Sequence, residues 1–140
     1  GMAVGFILLP YRLLRILNRG KEFEMERKDL IQEICRAAAE KKAADVVVMD
    51  ITQMSVIADD FIVCSGSSKA QVKAICDNIE EKLQKNAVRP AKIDGYDEAR
   101  WIVMDYSDVL VHIFKDEDRI FYNLERLWNN GVNAYIYKED

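Results

Sequence analysis

Two apolar, β-branched runs separated by a short turn place the strongest constraint on how this chain folds. They are Trp101–Asp105 and Val109–Phe114, and the turn between them contains Ser107-Asp108. Runs of this kind around a turn predict a β-hairpin. The hairpin also holds a tryptophan, a tyrosine, two aspartates and the only histidine of the chain. An ordinary buried hairpin does not need these groups, so one face of the predicted sheet is interpreted as a recognition surface.

The rest of the chain predicts one α/β domain with a mixed five-stranded sheet flanked by helices. Apolar residues recur at helical spacing in three segments, as Leu30, Ile31, Ile34, Cys35 and Ala38, as Val72, Ile75, Cys76, Ile79 and Leu83, and as Ile120, Phe121, Leu124, Leu127 and Trp128. Besides the hairpin, short apolar runs predict strands at 46–51, 60–64 and 90–94. Residues 132–137 are compatible with a short edge strand.

The domain is acidic once the N-terminal segment is set aside. The 140-residue chain has a formal charge of −4, but its first 24 residues contain four basic and two acidic side chains. Residues 25–140 therefore carry −6. An acidic body repels phosphate, so sequence-specific binding to nucleic acid is not expected, whereas a basic protein partner is favoured.

The three cysteines, Cys35, Cys64 and Cys76, are odd in number, lie in apolar surroundings and show no C-x-x-C spacing. They are predicted to be reduced core residues of a cytoplasmic protein rather than disulfide partners or zinc ligands. Neither a metal nor a cofactor is expected.

The first 24 residues form a predicted extension outside the functional domain. Gly1 before Met2 resembles a tag-cleavage scar, and the apolar stretch 6–17 is interrupted by Pro10 and two arginines, unlike a signal peptide. Lys21-Glu22 can be encoded by a bacterial ribosome-binding sequence just before Met25. Translation is therefore expected to start at Met25, which leaves residues 1–24 as a start-site artefact. The stretch is too short to span a membrane.

A small-residue segment, Ser65-Gly-Ser-Ser68, follows a predicted strand and precedes a helix. It could bind a phosphate at the helix N-terminus, but the same residues commonly cap helices. Nucleotidyltransferases open their sites in a similar way and also need carboxylates that hold two metal ions. Asp105 and Asp108 lie on either side of a turn and do not alternate on one strand face, which makes nucleotide transfer improbable.

Alternation along the predicted hairpin places its polar and aromatic residues on shared faces. His112 lies on the side of Leu110 and Phe114, and with no second histidine it is interpreted as a structural or interface residue. Trp101 shares a side with Val103 and Asp105, which is expected to place the indole beside a carboxylate. An amphipathic aromatic residue near a charge is typical of an interface centre.

Taken together, these motifs resemble the ribosomal silencing factor family, also called Iojap-like or RsfS, from about Asp29 to Trp128. The resemblance is carried by Asp60-Phe-Ile-Val63, Ser65-Gly-Ser-Ser68, Gln71-Val72, Ala74-Ile75, Gly95-Tyr96, Trp101-Ile-Val-x-Asp105, Asp108-Val-x-Val-His112, Phe114, Arg119 and Tyr122-x-Leu-Glu-x-Leu-Trp128. Ser107 departs from the pattern, since a glycine is common in this turn. The predicted organisation is an extension at 1–24, the family domain at 25–130 and a C-terminal tail at 131–140.

The resemblance implies a nucleotidyltransferase-like fold without its catalytic carboxylates and a homodimer when free. It also implies binding to the basic ribosomal protein L-fourteen on the large subunit, where the factor blocks subunit joining and silences translation when nutrients are scarce. Contacts with that protein are assigned to residues of the hairpin and the helix that follows, namely Trp101, Asp105, Tyr106, Asp108, His112, Phe114, Arg119 and Tyr122.

Two other functions remain open at this point. One is an active nucleotidyltransferase that uses Ser65–Ser68 and Asp105. The other is a membrane-surface adaptor, which rests only on the amphipathic N-terminal stretch.

Overall fold

A six-stranded mixed sheet organises the part of the chain that the computed structural model describes, residues 9–10 and 26–139. In chain order the elements are β1 (Leu9–Pro10), α1 (Arg27–Glu40), β2 (Ala44–Asp50), β3 (Asp60–Gly66), α2 (Lys69–Gln84), β4 (Val88–Arg89), β5 (Lys92–Asp94), β6 (Trp101–Asp105), β7 (Val109–Lys115), α3 (Asp116–Tyr122), α4 (Leu124–Trp128) and β8 (Ala134–Ile136). The sheet order is β5-β6-β7-β3-β2-β8. Strands β3 and β7 are parallel, and the other neighbours are antiparallel.

The predicted α/β class and mixed sheet are confirmed, but the prediction of five strands is wrong. The sixth strand is β8, which pairs with β2 and confirms the short edge strand expected within residues 132–137, in the segment assigned to a C-terminal tail. Backbone hydrogen bonds continue on either side of β8, where the Asp50 N–H donates to the Asn133 carbonyl and the Tyr137 N–H donates to the Val46 carbonyl.

Helices α1 and α2 cover one face of the sheet. Their predicted apolar stripes are buried and pack against inward-facing residues of β3, β6 and β7. Cys35, Cys64 and Cys76 lie in this layer as free cysteines, and burial raises the pKa of each thiol to about 12. The prediction that they are core residues is confirmed, and thiols so far from ionisation behave as small hydrophobes.

The loop between β3 and α2 is a helix cap. The Ser68 hydroxyl accepts a hydrogen bond from the Gln71 backbone N–H at 3.1 Å. The Gln71 side chain accepts from the Ser67 N–H at 2.7 Å and donates to the backbone carbonyls of Lys41 and Lys42. These contacts tie the start of α2 to the turn before β2, and they occupy the Ser67 N–H that a phosphate would need.

The opposite face of the sheet carries a second apolar cluster and is covered mainly by the short helices α3 and α4. Leu124 and Trp128 of α4 pack against this cluster. The prediction of one continuous last helix is wrong, because Asn123 adopts φ 45° and separates α3 from α4. Asparagine tolerates this left-handed conformation better than most residues, which explains why the break falls there.

The hairpin turn between β6 and β7 requires a left-handed residue at Ser107, whose φ is 72°. A residue with a Cβ pays a steric cost in this conformation, whereas glycine does not. We therefore expect Ser107→Gly to raise the free energy of unfolding by about 1 kcal/mol. Urea denaturation of both proteins measures this difference. A variant of unchanged or lower stability would show that the turn is not strained at Ser107.

The N-terminal segment meets the domain where β1 pairs with β4 in parallel, with Leu9 opposite Val88 and Pro10 opposite Arg89. The rest of the predicted amphipathic stretch at 6–17 lies outside the described residues, as do Lys21-Glu22 and Met25. Across the described ranges, no helix has the length and apolar character needed to cross a membrane.

Candidate functional site

An aromatic cluster on the second face of the sheet brings together four of the residues predicted to contact a partner. The Trp101 ring stacks on Phe114 at 4.9 Å and packs against Tyr122 at 4.8 Å between ring centroids. The indole Nε1–H donates to Nδ1 of His112 at 3.1 Å. Phe114 and His112 are buried, Trp101 is half-buried, and Tyr122 is exposed. Trp101 therefore lies at the boundary between the core and the solvent.

Strand register produces this arrangement. Trp101 on β6 is directly opposite Phe114 on β7, and His112 is opposite Val103 two pairs further along, on the same face. The loop before β6 passes close to the Trp101 backbone at Gly95. The φ of Gly95 is 79°, and a Cβ there would lie 2.2 Å from the Trp101 carbonyl oxygen. Only glycine meets both the conformational and the steric demand at that position.

His112 is buried next to Trp101, and its ring accepts a hydrogen bond from the indole. Since Nδ1 accepts the indole hydrogen bond, the neutral ring carries its proton on Nε2. That Nε2 is buried and has no hydrogen-bond partner among the described residues. Burial lowers the pKa of His112 to about 4, so the ring is neutral at physiological pH. Its predicted place on the face of Leu110 and Phe114 is confirmed, and from this buried position it hydrogen-bonds Trp101.

Large apolar side chains are exposed on the two helices beside this cluster. Ile120 is 80%, Phe121 77% and Leu127 74% exposed, next to the half-exposed Tyr122. The sequence predicted that Ile120, Phe121 and Leu127 form part of a helical stripe, but not that they stay uncovered. Exposed apolar groups that lie together commonly mark an interaction site. Tyr122 contacts both Trp101 and Phe121, and we call these three residues the aromatic patch.

A cleft of about 630 Å³ opens beside the patch. It is lined by aromatic and charged residues, namely Gly95, Glu98, Arg100, Trp101, Glu117, Asp118, Phe121 and Tyr122. Arg100 forms an ion pair with Asp118 at 3.1 Å, and Lys115 forms one with Glu117. The cleft combines an aromatic wall with carboxylates, which is a surface suited to cationic groups.

The remaining predicted contact residues lie elsewhere. Asp105 shares the face of Trp101, as predicted, but sits at the other end of β6, roughly 13 Å away along the strand. The expectation that the indole lies beside this carboxylate is therefore wrong. Asp105 instead accepts a hydrogen bond from the Ser107 N–H at 2.7 Å and stabilises the turn. Asp108 is buried, and its carbonyl accepts from the N–H groups of Asp59 and Asp60.

Tyr106 and Arg119 are engaged within the domain. Tyr106 is fully buried in the helix-side core, where burial raises the pKa of its hydroxyl, so its side chain offers no surface to a partner. The Arg119 guanidinium donates to the carbonyls of Ala44 and Asp45 at 3.0 and 2.8 Å and to Glu125 at 2.9 Å. These bonds link α3 and α4 to the start of β2, so the Arg119 guanidinium is engaged within the domain.

A larger open cleft of about 1120 Å³ lies on another side of the molecule, lined by the start of α1, the end of β2 and β8. Its two strand carboxylates, Asp50 and Asp60, both face Arg27, which donates to Asp60 through Nε and, at 3.0 Å, through Nη2. Because one guanidinium engages both carboxylates, this cleft presents no free acidic pair for catalysis.

The residues of the nucleotidyltransferase hypothesis are not brought together. Ser65 is opposite Phe114, whereas Asp105 is opposite Leu110, so they are separated by about four residues along the sheet. That spacing is on the order of 13 Å. Within residues 9–10 and 26–139, no group of three or more histidine, cysteine, aspartate or glutamate side chains could hold a metal ion.

Comparison with known proteins gives a consistent match over the domain. Residues 24–139 match the family model described as ribosomal silencing factor during starvation. The chain is 38% identical over 110 residues to the ribosomal silencing factor RsfS of Bacillus subtilis, covering 79% of this chain and 93% of that protein. It is 33% identical over 99 residues to the chloroplastic protein Iojap of Zea mays, covering 71% of this chain and 43% of that protein.

Solved structures agree with the sequence matches. A Bacillus halodurans crystal structure superposes with a TM-score of 0.67 at 36% identity, covering 73% of this chain and 95% of that one. A Chromobacterium violaceum crystal structure gives a TM-score of 0.73 at 26% identity, covering 83% of this chain and 92% of that one.

Proposed function

Because the chain belongs to the ribosomal silencing factor family, we propose that it is a translation regulator that binds the large ribosomal subunit. Its partner there is a basic ribosomal protein, L-fourteen, and the bound factor blocks joining of the small subunit when nutrients are limiting. The proposal places this activity in the cytoplasm. The observation that carries it is the aromatic patch around Trp101, an apolar surface with a rigid tryptophan at its edge.

The physical character of the patch suits a protein partner. Exposed apolar groups gain free energy when they leave water, at roughly 25 cal/mol per Å² of buried area. Tryptophan and tyrosine supply much contact area with few rotatable bonds, and such residues dominate the energetics of many interfaces. Trp101 is already held by His112, Phe114 and Tyr122, so little conformational freedom is lost on binding.

The charge of the domain favours a basic partner over bare RNA. Residues 25–140 carry −6, and an acidic domain approaches a basic ribosomal protein faster than a neutral domain would. Occluding a subunit surface is a steric act that requires no bond making. Binding alone is therefore sufficient for silencing.

In the free state we propose that the factor forms a homodimer. Side chains such as Ile120 and Phe121, which are mostly exposed in the single chain, favour self-association in water. Sedimentation velocity across a concentration series measures the oligomeric state. A chain that stays monomeric at high concentration would contradict this part of the proposal.

The direct test of ribosome binding is co-sedimentation with purified subunits. We expect the protein to sediment with isolated large subunits and not with small subunits, and to reduce reassociation of the two. Equal recovery with both subunits, or with neither, would contradict the proposed function.

The second candidate function, nucleotide transfer, is tested by thermal melting with nucleoside triphosphates and Mg²⁺. A ligand that binds the folded state raises the melting temperature by mass action. The separation of Ser65 from Asp105 and the occupied Ser67 N–H predict no shift. A clear rise in melting temperature would favour the enzyme.

A further inference from the structure

The cleft beside Trp101 has one wall made of aromatic rings. Phe121 and Tyr122 meet edge to face, with ring centroids 4.9 Å apart, and Tyr122 leans on the indole of Trp101. All three rings line the cleft. Aromatic faces carry partial negative charge and attract cations within about 6 Å of the ring centre.

The charged residues of the same cleft leave one carboxylate available. Asp118 is paired with Arg100, and Glu117 is paired with Lys115. Glu98 is exposed, lines the cleft and takes part in no ion pair within the described part of the chain. Counting Glu98, Glu117 and Asp118 against Arg100 gives the lining a formal charge of −2.

We infer that this cleft receives a cationic side chain, a lysine or arginine, from the protein that covers the aromatic patch. The rings contact the aliphatic stem and the face of the charged group, and the Glu98 carboxylate completes its neutralisation. The inference rests on the proposed function and adds to it the type of partner side chain that is bound and the place where it binds.

A phosphate group does not fit the same cleft. Its negative charge would meet Glu98 and the net negative lining, which opposes binding. Arg100, the cation in the lining, is already engaged by Asp118 at 3.1 Å. The occupant is therefore a basic protein segment rather than the RNA backbone.

Charge reversal at Glu98, with a matched reversal at its neighbour, tests the inference. Asp97 is also exposed but does not line the cleft, so Glu98→Lys and Asp97→Lys change the net charge equally. In co-sedimentation with large subunits, we expect Glu98→Lys to weaken binding by about fivefold or more. Asp97→Lys should stay within about twofold of the wild type.

The outcomes separate this inference from the proposed function. If the wild-type protein fails to sediment with large subunits, the proposed function is wrong. If it binds and the two variants weaken binding equally, only the overall charge matters and the cleft assignment is overturned. If neither variant weakens binding, the cleft assignment is overturned as well. Retention of the wild-type protein on large-subunit RNA stripped of its proteins would also overturn it, because the occupant would then be nucleic acid. Thermal melting of both variants must match the wild type, which their exposed positions predict.

Discussion

Replacement of Trp101 by alanine is expected to weaken binding to the large ribosomal subunit at least about tenfold. Loss of a large aromatic anchor from an interface typically costs about 2 kcal/mol or more. The indole contacts Phe114 and Tyr122 and is accessible at the edge of the patch, so truncation removes both the anchor and one wall of the cleft. Quantitative co-sedimentation with purified large subunits measures the loss.

The fold also depends on Trp101, so a matched aromatic control is needed. Trp101→Ala should lower the free energy of unfolding by about 2 kcal/mol, because the side chain is only half-buried. Tyr96 is likewise half-buried but packs on the helix-side core, with its hydroxyl donating to Asp77 at 2.9 Å. Tyr96→Ala should therefore cost similar stability and leave ribosome binding intact.

A second variant keeps the test decisive if Trp101→Ala unfolds. Phe121 is 77% exposed and contributes little to the core, so Phe121→Ala should fold normally and still weaken binding. Normal binding by a folded Phe121→Ala protein, together with equal losses for Trp101→Ala and Tyr96→Ala, would place the interface elsewhere.

The helix-side layer was predictable because its sequence pattern and its burial have the same cause. Val72, Ile75 and Ile79 recur at helical spacing, and the strands beneath them are apolar on the facing side. The cap at Ser68 was also predictable, since a hydroxyl before an apolar helical run satisfies the free N–H groups of the first turn.

The exposed apolar residues in and beside the aromatic patch were predictable only in part. Periodicity shows that Ile120, Phe121 and Leu127 recur at helical spacing, but it does not show whether another element covers them. Asn123 interrupts the helix, and the resulting short helices leave these residues exposed. The one available signal was the asparagine itself, which tolerates a left-handed backbone.

Two further differences between the predicted and observed site concern Asp105 and Tyr106. Alternation correctly placed Trp101 and Asp105 on one face, but it gives no measure of how far apart they lie. Tyr106 follows β6 at a turn whose geometry directs its ring into the core, although its neighbours suggested a surface role. Such positions depend on tertiary packing that a local pattern does not encode.

Acid is expected to destabilise the domain through His112. The folded-state pKa of this histidine is about 4, against an ordinary value near 6.5, because burial disfavours the charged ring. Between these two values the unfolded chain binds a proton that the folded chain does not. The contribution of neutral His112 to the free energy of unfolding is therefore complete above pH 6.5. It falls progressively as the pH drops towards 4, by about 3 kcal/mol in total.

The variant His112→Phe isolates that contribution. Phenylalanine can keep the ring packing against Phe61 and Phe114 but cannot titrate, and every other acidic or basic group is shared with the wild type. Urea denaturation at pH 7, 5.5 and 4 should show the wild type losing about 3 kcal/mol more than the variant across this range. Tryptophan fluorescence of the folded wild type, and not of the variant, should change as the pH falls through about 4, because a protonated Nδ1 can no longer accept the Trp101 hydrogen bond. Parallel pH profiles for the two proteins would show that His112 is not held neutral by the fold and that the Trp101 hydrogen bond does not depend on its protonation state.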